Sequence, residues 1–244
     1  MLLAVDIGNT NISFGIFKGL VLKKTFDIPT KQYSRNKLLK KIISLKGADT
    51  LISSVVPGIT RVIAKELAGI TGKRPYIIGK DIKVPVKNLY RKANQAGQDR
   101  LVNAYAAVKL YGAPLIVVDF GTAITFDVIS KSGSYAGGMI LPGLGLSIKA
   151  LKNGTALLPE IKIGRPKALI GRDTKSSILS GIVYGFAGLT EQLNYKLKKN
   201  LGSRAKVIAT GGNARLIRSY CNNIDRLDNT LTLKGINLIY KNFK

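Results

Sequence analysis

A chain of 244 residues with 45% hydrophobic content is long enough for one large domain or two moderate ones, each with its own core. It carries 39 basic and 13 acidic residues, a formal charge of +26, no histidine and one cysteine, Cys221. These counts exclude imidazole-based triads, histidine-ligated zinc or iron, cysteine metal clusters and intramolecular disulfides, so acid–base chemistry falls to carboxylates, lysine or tyrosine. No run approaches the roughly 18 apolar residues of a membrane span, and Asp6 interrupts the apolar start, so a cytoplasmic protein with no membrane association is expected. The positive charge is spread over both halves. Stretches such as KLLKKII (37–43) and YKLKKN (195–200) predict amphipathic helices with lysines in solvent rather than a specific nucleic-acid surface. A positive field equally suits a small anionic substrate.

LLAVDIG and ISFGIF read as two apolar strands joined at GNTN, with a third strand around VLKKTFDI, an antiparallel start. The pattern then predicts a helix over 32–45, a short buried strand at 50–57, a glycine-capped helix in RVIAKELAGITG and a strand at 75–79. A polar stretch leads to an alanine-rich helix over 101–111. LIVVDFGTAITFDVI (115–129) then repeats LLAVDIGNTNISFGIF (2–17): Asp119 aligns with Asp6, 113 positions earlier, and Gly121 with Gly8, once one residue is dropped from the turn. The repeat predicts a duplicated domain, divided into 1–114 and 115–244. Further helices are expected around 143–152 and 174–200, a strand over 206–212 and a helix from about Asn213.

In a strand–Asp-x-Gly–strand hairpin the backbone N–H groups of the turn face one concavity, and glycine lets a bulky anion approach. Such a turn suits a polyphosphate, and the preceding aspartate could hold a divalent cation against it. One copy is ordinary turn chemistry; two copies, each after a buried strand, point to phosphate clasps. ATGGNA (209–214) adds a glycine-rich strand end where backbone can approach a nucleotide. The P-loop and G-x-G-x-x-G patterns of the commonest nucleotide folds are absent from the sequence.

Together these residues resemble the superfamily of acetate and sugar kinases, Hsp70 and actin, and more closely the type III pantothenate kinases. The resemblance runs through DIGNTN (6–11), SSVVP (53–57), GQDRLVNAYAA (97–107), VVDFGTAITFDVI (117–129), GGMILPGL (137–144), TALLP (155–159), RDTKSSILSG (172–181), ATGGNA (209–214) and LTLKGI (231–236), in the family's order. It implies an α/β fold of duplicated ribonuclease H-like, actin-like ATPase domains. Their mixed sheets would be flanked by helices, with an ATP cleft between the halves. The implied activity is ATP-dependent phosphorylation of pantothenate to 4'-phosphopantothenate, the first step of coenzyme A biosynthesis.

Carried over residue by residue, the resemblance gives ATP-phosphate binding to Asp6, Ile7, Gly8, Asn9, Thr10, Asn11, Ile12 and Ser13, and an ATP contact to Thr122. Gly97, Gln98, Asp99 and Arg100 correspond to the substrate motif, with Asp99 the general base, a role that suits a carboxylate in a chain without histidine. Tyr90 and Thr174 correspond to substrate contacts, and Asp119 to the ligand of a monovalent cation, K+ or NH4+. The resemblance further implies ATP with Mg2+ and a homodimer. Ala93 stands where family members commonly have proline, which predicts a looser loop around Tyr90. The competing reading is a non-catalytic relative that senses ATP or a metabolite, against which stands the retention of Asp6, Asp99, Arg100 and Asp119.

Overall fold

Strand β1 (Leu2–Ile7) is buried on both faces, as an unbroken apolar run requires, and it becomes the centre of a sheet. The computed structural model describes residues 1–202 and 204–244. In chain order the remaining elements are β2 (Asn11–Lys18), β3 (Val21–Pro29), α1 (Arg35–Ile42), β4 (Asp49–Ser54), α2 (Pro57–Thr71), β5 (Tyr76–Ile77), α3 (Gln98–Tyr111), β6 (Leu115–Phe120), β7 (Ala123–Ile129), β8 (Tyr135–Pro142), α4 (Leu144–Asn153), α5 (Thr174–Leu201), β9 (Lys206–Thr210), α6 (Ala214–Arg218), β10 (Arg226–Leu227) and α7 (Leu231–Phe243).

The chain forms two units, one of residues 1–110 with 230–244, the other of residues 111–229. In the first, the strand order is β3-β2-β1-β4-β5. β1–β2 and β2–β3 are antiparallel, while β1–β4 and β4–β5 are parallel. The second repeats this plan as β10-β9-β6-β7-β8, with β6–β7 and β7–β8 antiparallel and β6–β9 and β9–β10 parallel. Two mixed five-stranded sheets of the same topology realise the duplication read from the two hairpins.

The C-terminal residues 230–244, assigned above to the second domain, belong to the first unit instead. The cause is the apolar stripe of α7, where Leu233, Ile236, Ile239 and Tyr240 pack into a core with Leu2, Ala4, Leu51 and Val102. Gly235 lets α7 sit close to α3, because a Cβ there would lie 2.7 Å from Val102 Cγ1 and 2.8 Å from its carbonyl. The other face of the sheet buries Leu3, Val5, Ile7 and Phe14 with Leu38 and Ile42 of α1 and Ile63 and Leu67 of α2. In the second unit Ile116, Val118, Phe120 and Phe126 pack with Val183 and Ala187 of α5 and Ile217 of α6.

Other elements differ in extent. The helix expected over 32–45 is α-helical only from Arg35, where the Ser34 side chain accepts the Lys37 N–H at 3.4 Å, and it ends in a 3₁₀ turn, Ile43–Leu45. α6 covers only five residues. β8 is a strand that the apolar alternation of the sequence does not predict.

Candidate functional site

The turn after β1 is fastened from two sides. Gly8 N–H donates to the Asn11 carbonyl at 3.0 Å, and a Cβ on Gly8 would lie 3.1 Å from that oxygen. From the far end of β3, Thr30 reaches the same turn twice: its hydroxyl donates to the Gly8 carbonyl at 2.8 Å, and its N–H donates to the Thr10 carbonyl at 2.8 Å. Asp6, half-buried at the strand end, pairs in register with Ser13 on β2 and Ser53 on β4. In-register neighbours share a sheet face, so the carboxylate is flanked by two hydroxyl-bearing side chains. Ser53 is fully buried, and its Oγ has no hydrogen-bond partner among the described residues.

α3 opens the second group of candidate residues. Gly97 precedes it, and a Cβ there would lie 2.5 Å from Asp99 Oδ1, so glycine is what allows the carboxylate its place. Asp99 Oδ1 accepts the N–H of Arg100 at 2.8 Å, in the first turn of the helix where a negative charge is favoured. Burial nevertheless pushes the Asp99 carboxyl above the usual carboxylate range, against the opposing pull of the Arg100 N–H and guanidinium. Arg100 is buried and its Nη1 donates to the Tyr90 hydroxyl at 3.4 Å, which brings Tyr90 to the GQDR segment. The Gln98 side chain packs against Gly79, where φ is +84° and a Cβ would lie 2.8 Å from Gln98 Cδ. Ala93, in place of proline, starts a 3₁₀ turn whose loop is tied by Asn88: its Nδ2 donates to the Ala93 carbonyl at 3.1 Å and its Oδ1 accepts the Tyr90 N–H at 3.0 Å. The Asn88 side chain thus makes two hydrogen bonds within the loop that carries Tyr90.

In the second unit Asp119 ends β6 as Asp6 ends β1, and it pairs in register with Thr125 on β7 and Thr210 on β9. Two hydroxyl-bearing neighbours flank a carboxylate again. Gly211 follows Thr210 with φ +91°, and a Cβ there would lie 2.7 Å from the Phe120 backbone and nearer still to Asp119 Oδ1. The Asn213 N–H donates to the Phe120 carbonyl at 3.2 Å, so ATGGNA closes over the end of β6. The turn carrying Thr122 is propped by Gly143, whose N–H donates to the Thr122 carbonyl at 3.0 Å. Asp127, fully buried, accepts from Thr125 Oγ1 at 3.0 Å and from the Tyr135 hydroxyl at 3.0 Å, which fixes the side chain beside Asp119.

Thr174 is exposed at the start of α5, directly after the helix cap Asp173, whose Oδ1 accepts the Ser176 N–H at 2.9 Å. Beside it lies a groove of about 1110 Å³ lined in part by Arg165, Leu169, Ile170, Arg172 and Leu179. It holds neither of the strand-end aspartates. Among the described residues no three His, Cys, Asp or Glu side chains gather into a metal cage. A cation at either strand-end aspartate would take oxygens from that carboxylate, from the neighbouring hydroxyls, and from phosphate or water, a donor set that fits hard cations. The sequence pattern marks the aspartates and the GQDR segment; Ser53, Thr125, Gly143 and Thr210 lie inside the quoted motifs without a role of their own there, and Thr30 lies outside all of them.

Residues 2–196 match the family model described as type III pantothenate kinase. A type III pantothenate kinase of Moorella thermoacetica is 40% identical over 251 residues, covering 99% of this chain and 99% of the relative. Among solved structures, a Campylobacter jejuni chain named for the Baf family of transcriptional activators aligns with TM-score 0.61 at 22% identity, over 99% of this chain and 98% of that one. A glucokinase from an Antarctic psychrotroph aligns with TM-score 0.50 at 12% identity, over 98% of each chain. The structural likenesses bear on fold alone, that of duplicated ribonuclease H-like domains shared with sugar kinases and actin-like ATPases. With the family model matched over most of its length and a relative at 40% identity end to end, this chain belongs to the type III pantothenate kinase family.

Proposed function

We propose that the chain carries out its family's reaction, ATP-dependent phosphorylation of pantothenate in coenzyme A biosynthesis, with Asp99 as the general base. The observation that carries this assignment is the Asp99 carboxyl, set against Gly97 at the start of α3 and pushed up by burial toward a pKa useful to a base. Asp99 takes the proton of the primary hydroxyl as its oxygen attacks the γ-phosphorus, and ADP leaves with the electrons of the broken P–O bond. Arg100, Tyr90, Gly97 and Gln98 hold the substrate, and Thr174 contacts it. The turn of residues 6–13 binds ATP phosphates through its backbone, and Thr122 adds a contact from the second hairpin.

Asp6, with Ser13 and Ser53 beside it, is the position for Mg2+, and Asp119, with Thr125 and Thr210, for a monovalent cation, K+ or NH4+. Bound there, the cations neutralise phosphate charge. Exposed Leu157, Leu169 and Ile170 on the second unit give a homodimer an apolar surface to cover, which light scattering of the purified protein would test. A cytoplasmic location is in keeping with the absence, among the described residues, of any helix long and apolar enough to cross a membrane.

Purified protein given ATP and pantothenate in potassium buffer is expected to form phosphopantothenate; folded protein that forms none refutes the assignment. Asp99→Asn should lower kcat by about 10²–10⁴-fold while ATP binding persists, and an unchanged kcat removes the base. The ionised carboxylate is the active form and its pKa is raised, so the acid limb of kcat/KM should lie above the usual aspartate value of about 3.9. The linked stability has the opposite sense: Asp99 contributes most below its unfolded pKa, and that contribution is lost as pH rises through the raised folded value. Replacing K+ by Na+ at constant ionic strength should lower both activity and melting temperature in the parent and neither in Asp119→Asn.

A further inference from the structure

We infer that Thr30 is a positioning residue for nucleotide binding: from the end of β3 it sets the direction in which the turn after β1 presents its amides. The inference rests on the reading that this turn binds ATP phosphates. Its two bonds, from the hydroxyl to the Gly8 carbonyl and from the N–H to the Thr10 carbonyl, both 2.8 Å, draw two carbonyl oxygens of one turn to one side. The Gly8–Asn9 and Thr10–Asn11 peptides are trans, so in each plane the N–H points opposite to the carbonyl. With both oxygens turned toward Thr30, the N–H groups of Asn9 and Asn11 are held facing away from it. Carbonyls turned inward and amides turned outward are what an anion needs. A free turn would flip these planes at little cost and present oxygens to the phosphates part of the time. The contact spans 22 residues of sequence and comes from the residue directly after β3.

The backbone bond survives any non-proline substitution, so the hydroxyl can be tested alone. Thr30→Val keeps the shape and removes the donor; losing one neutral hydrogen bond corresponds to a rise in the ATP KM of about fivefold. Pantothenate KM and kcat should stay within about twofold of the parent, and Thr30→Ser, which restores the donor, should return the ATP KM to the parent range. An unchanged ATP KM in Thr30→Val overturns the inference. So does a fall in kcat and a rise in both KM values that track a lowered melting temperature and persist in Thr30→Ser, because those mark a merely structural residue. Hydrogen exchange of the peptide covering residues 8–11, with and without a non-hydrolysable ATP analogue, separates the two levels. Protection by the analogue with no effect of Thr30→Val sinks the role of Thr30 and leaves the phosphate turn standing; no protection in the parent sinks the phosphate turn and the inference with it.

Discussion

After β3, Pro29 is followed by Thr30, and after β8, Pro142 is followed by Gly143, each pair 113 positions apart like Asp6 and Asp119. In both units the residue after the proline donates its N–H to a carbonyl of the neighbouring hairpin turn, Thr10 in one and Thr122 in the other. The side chains then diverge. In the first unit the turn is one residue longer and its Gly8 carbonyl lies where a threonine hydroxyl can reach it. In the second, the shorter turn closes so tightly that a Cβ on Gly143 would lie 2.5 Å from the Gly121 carbonyl and strike that of Thr122. A deletion in the turn and a glycine facing it are thus one change: the longer turn needs a prop, and the shorter one leaves no room for it. The two units share the backbone bond, and the side chain at that position differs with the loop length.

Three substitutions test that account, beginning with the most costly. Gly211→Ala meets both a left-handed backbone and the Phe120 and Asp119 atoms, so urea denaturation should show a loss of about 2–4 kcal/mol, with the difference between K+ and Na+ abolished. If the parent responds to potassium as proposed, retention of that response in Gly211→Ala would mean that the Asp119 carboxylate tolerates displacement. Gly143→Ala has ordinary φ but no space, and should cost about 1–3 kcal/mol. A stability within experimental error of the parent would dissolve the contrast between the two props. Gly8→Ala, whose Cβ would sit 3.1 Å from the Asn11 carbonyl, should change stability by less than about 1 kcal/mol, since the reduced freedom of the unfolded chain offsets a mild squeeze. A large loss at Gly8 would show that the first turn is packed as tightly as the second.

The strand-end aspartates were legible in the sequence because each ends a buried apolar run and the pattern recurs; the GQDR segment was legible through the family motif around it. Thr30 was not, since a hydrogen bond to a carbonyl far away in sequence imposes no periodicity on the residues that make it. β8 escaped because Gly137 and Gly138 interrupt its alternation, and strand propensity there is overridden by pairing with β7. The shortening of α1 follows from a local cap at Ser34 that hydrophobic spacing does not weigh. A division of the chain at residue 114 treats domains as contiguous intervals, and no linear pattern announces that α7 packs on β1 and α3 rather than on the strands that precede it. The hydroxyl-bearing neighbours of both aspartates likewise become visible only through strand register.

The return of α7 to the first sheet also orders events on the ribosome. Residues 111–229 form one unbroken interval, so every residue of that unit has been made before synthesis reaches residue 230. The first unit cannot be complete by then, because the face of its sheet bearing Leu2, Ala4 and Leu51 lacks its covering helix until residues 230–244 have been made. The half synthesised first is therefore finished last, and its unburied face is the surface that a nascent-chain chaperone would meet for longest.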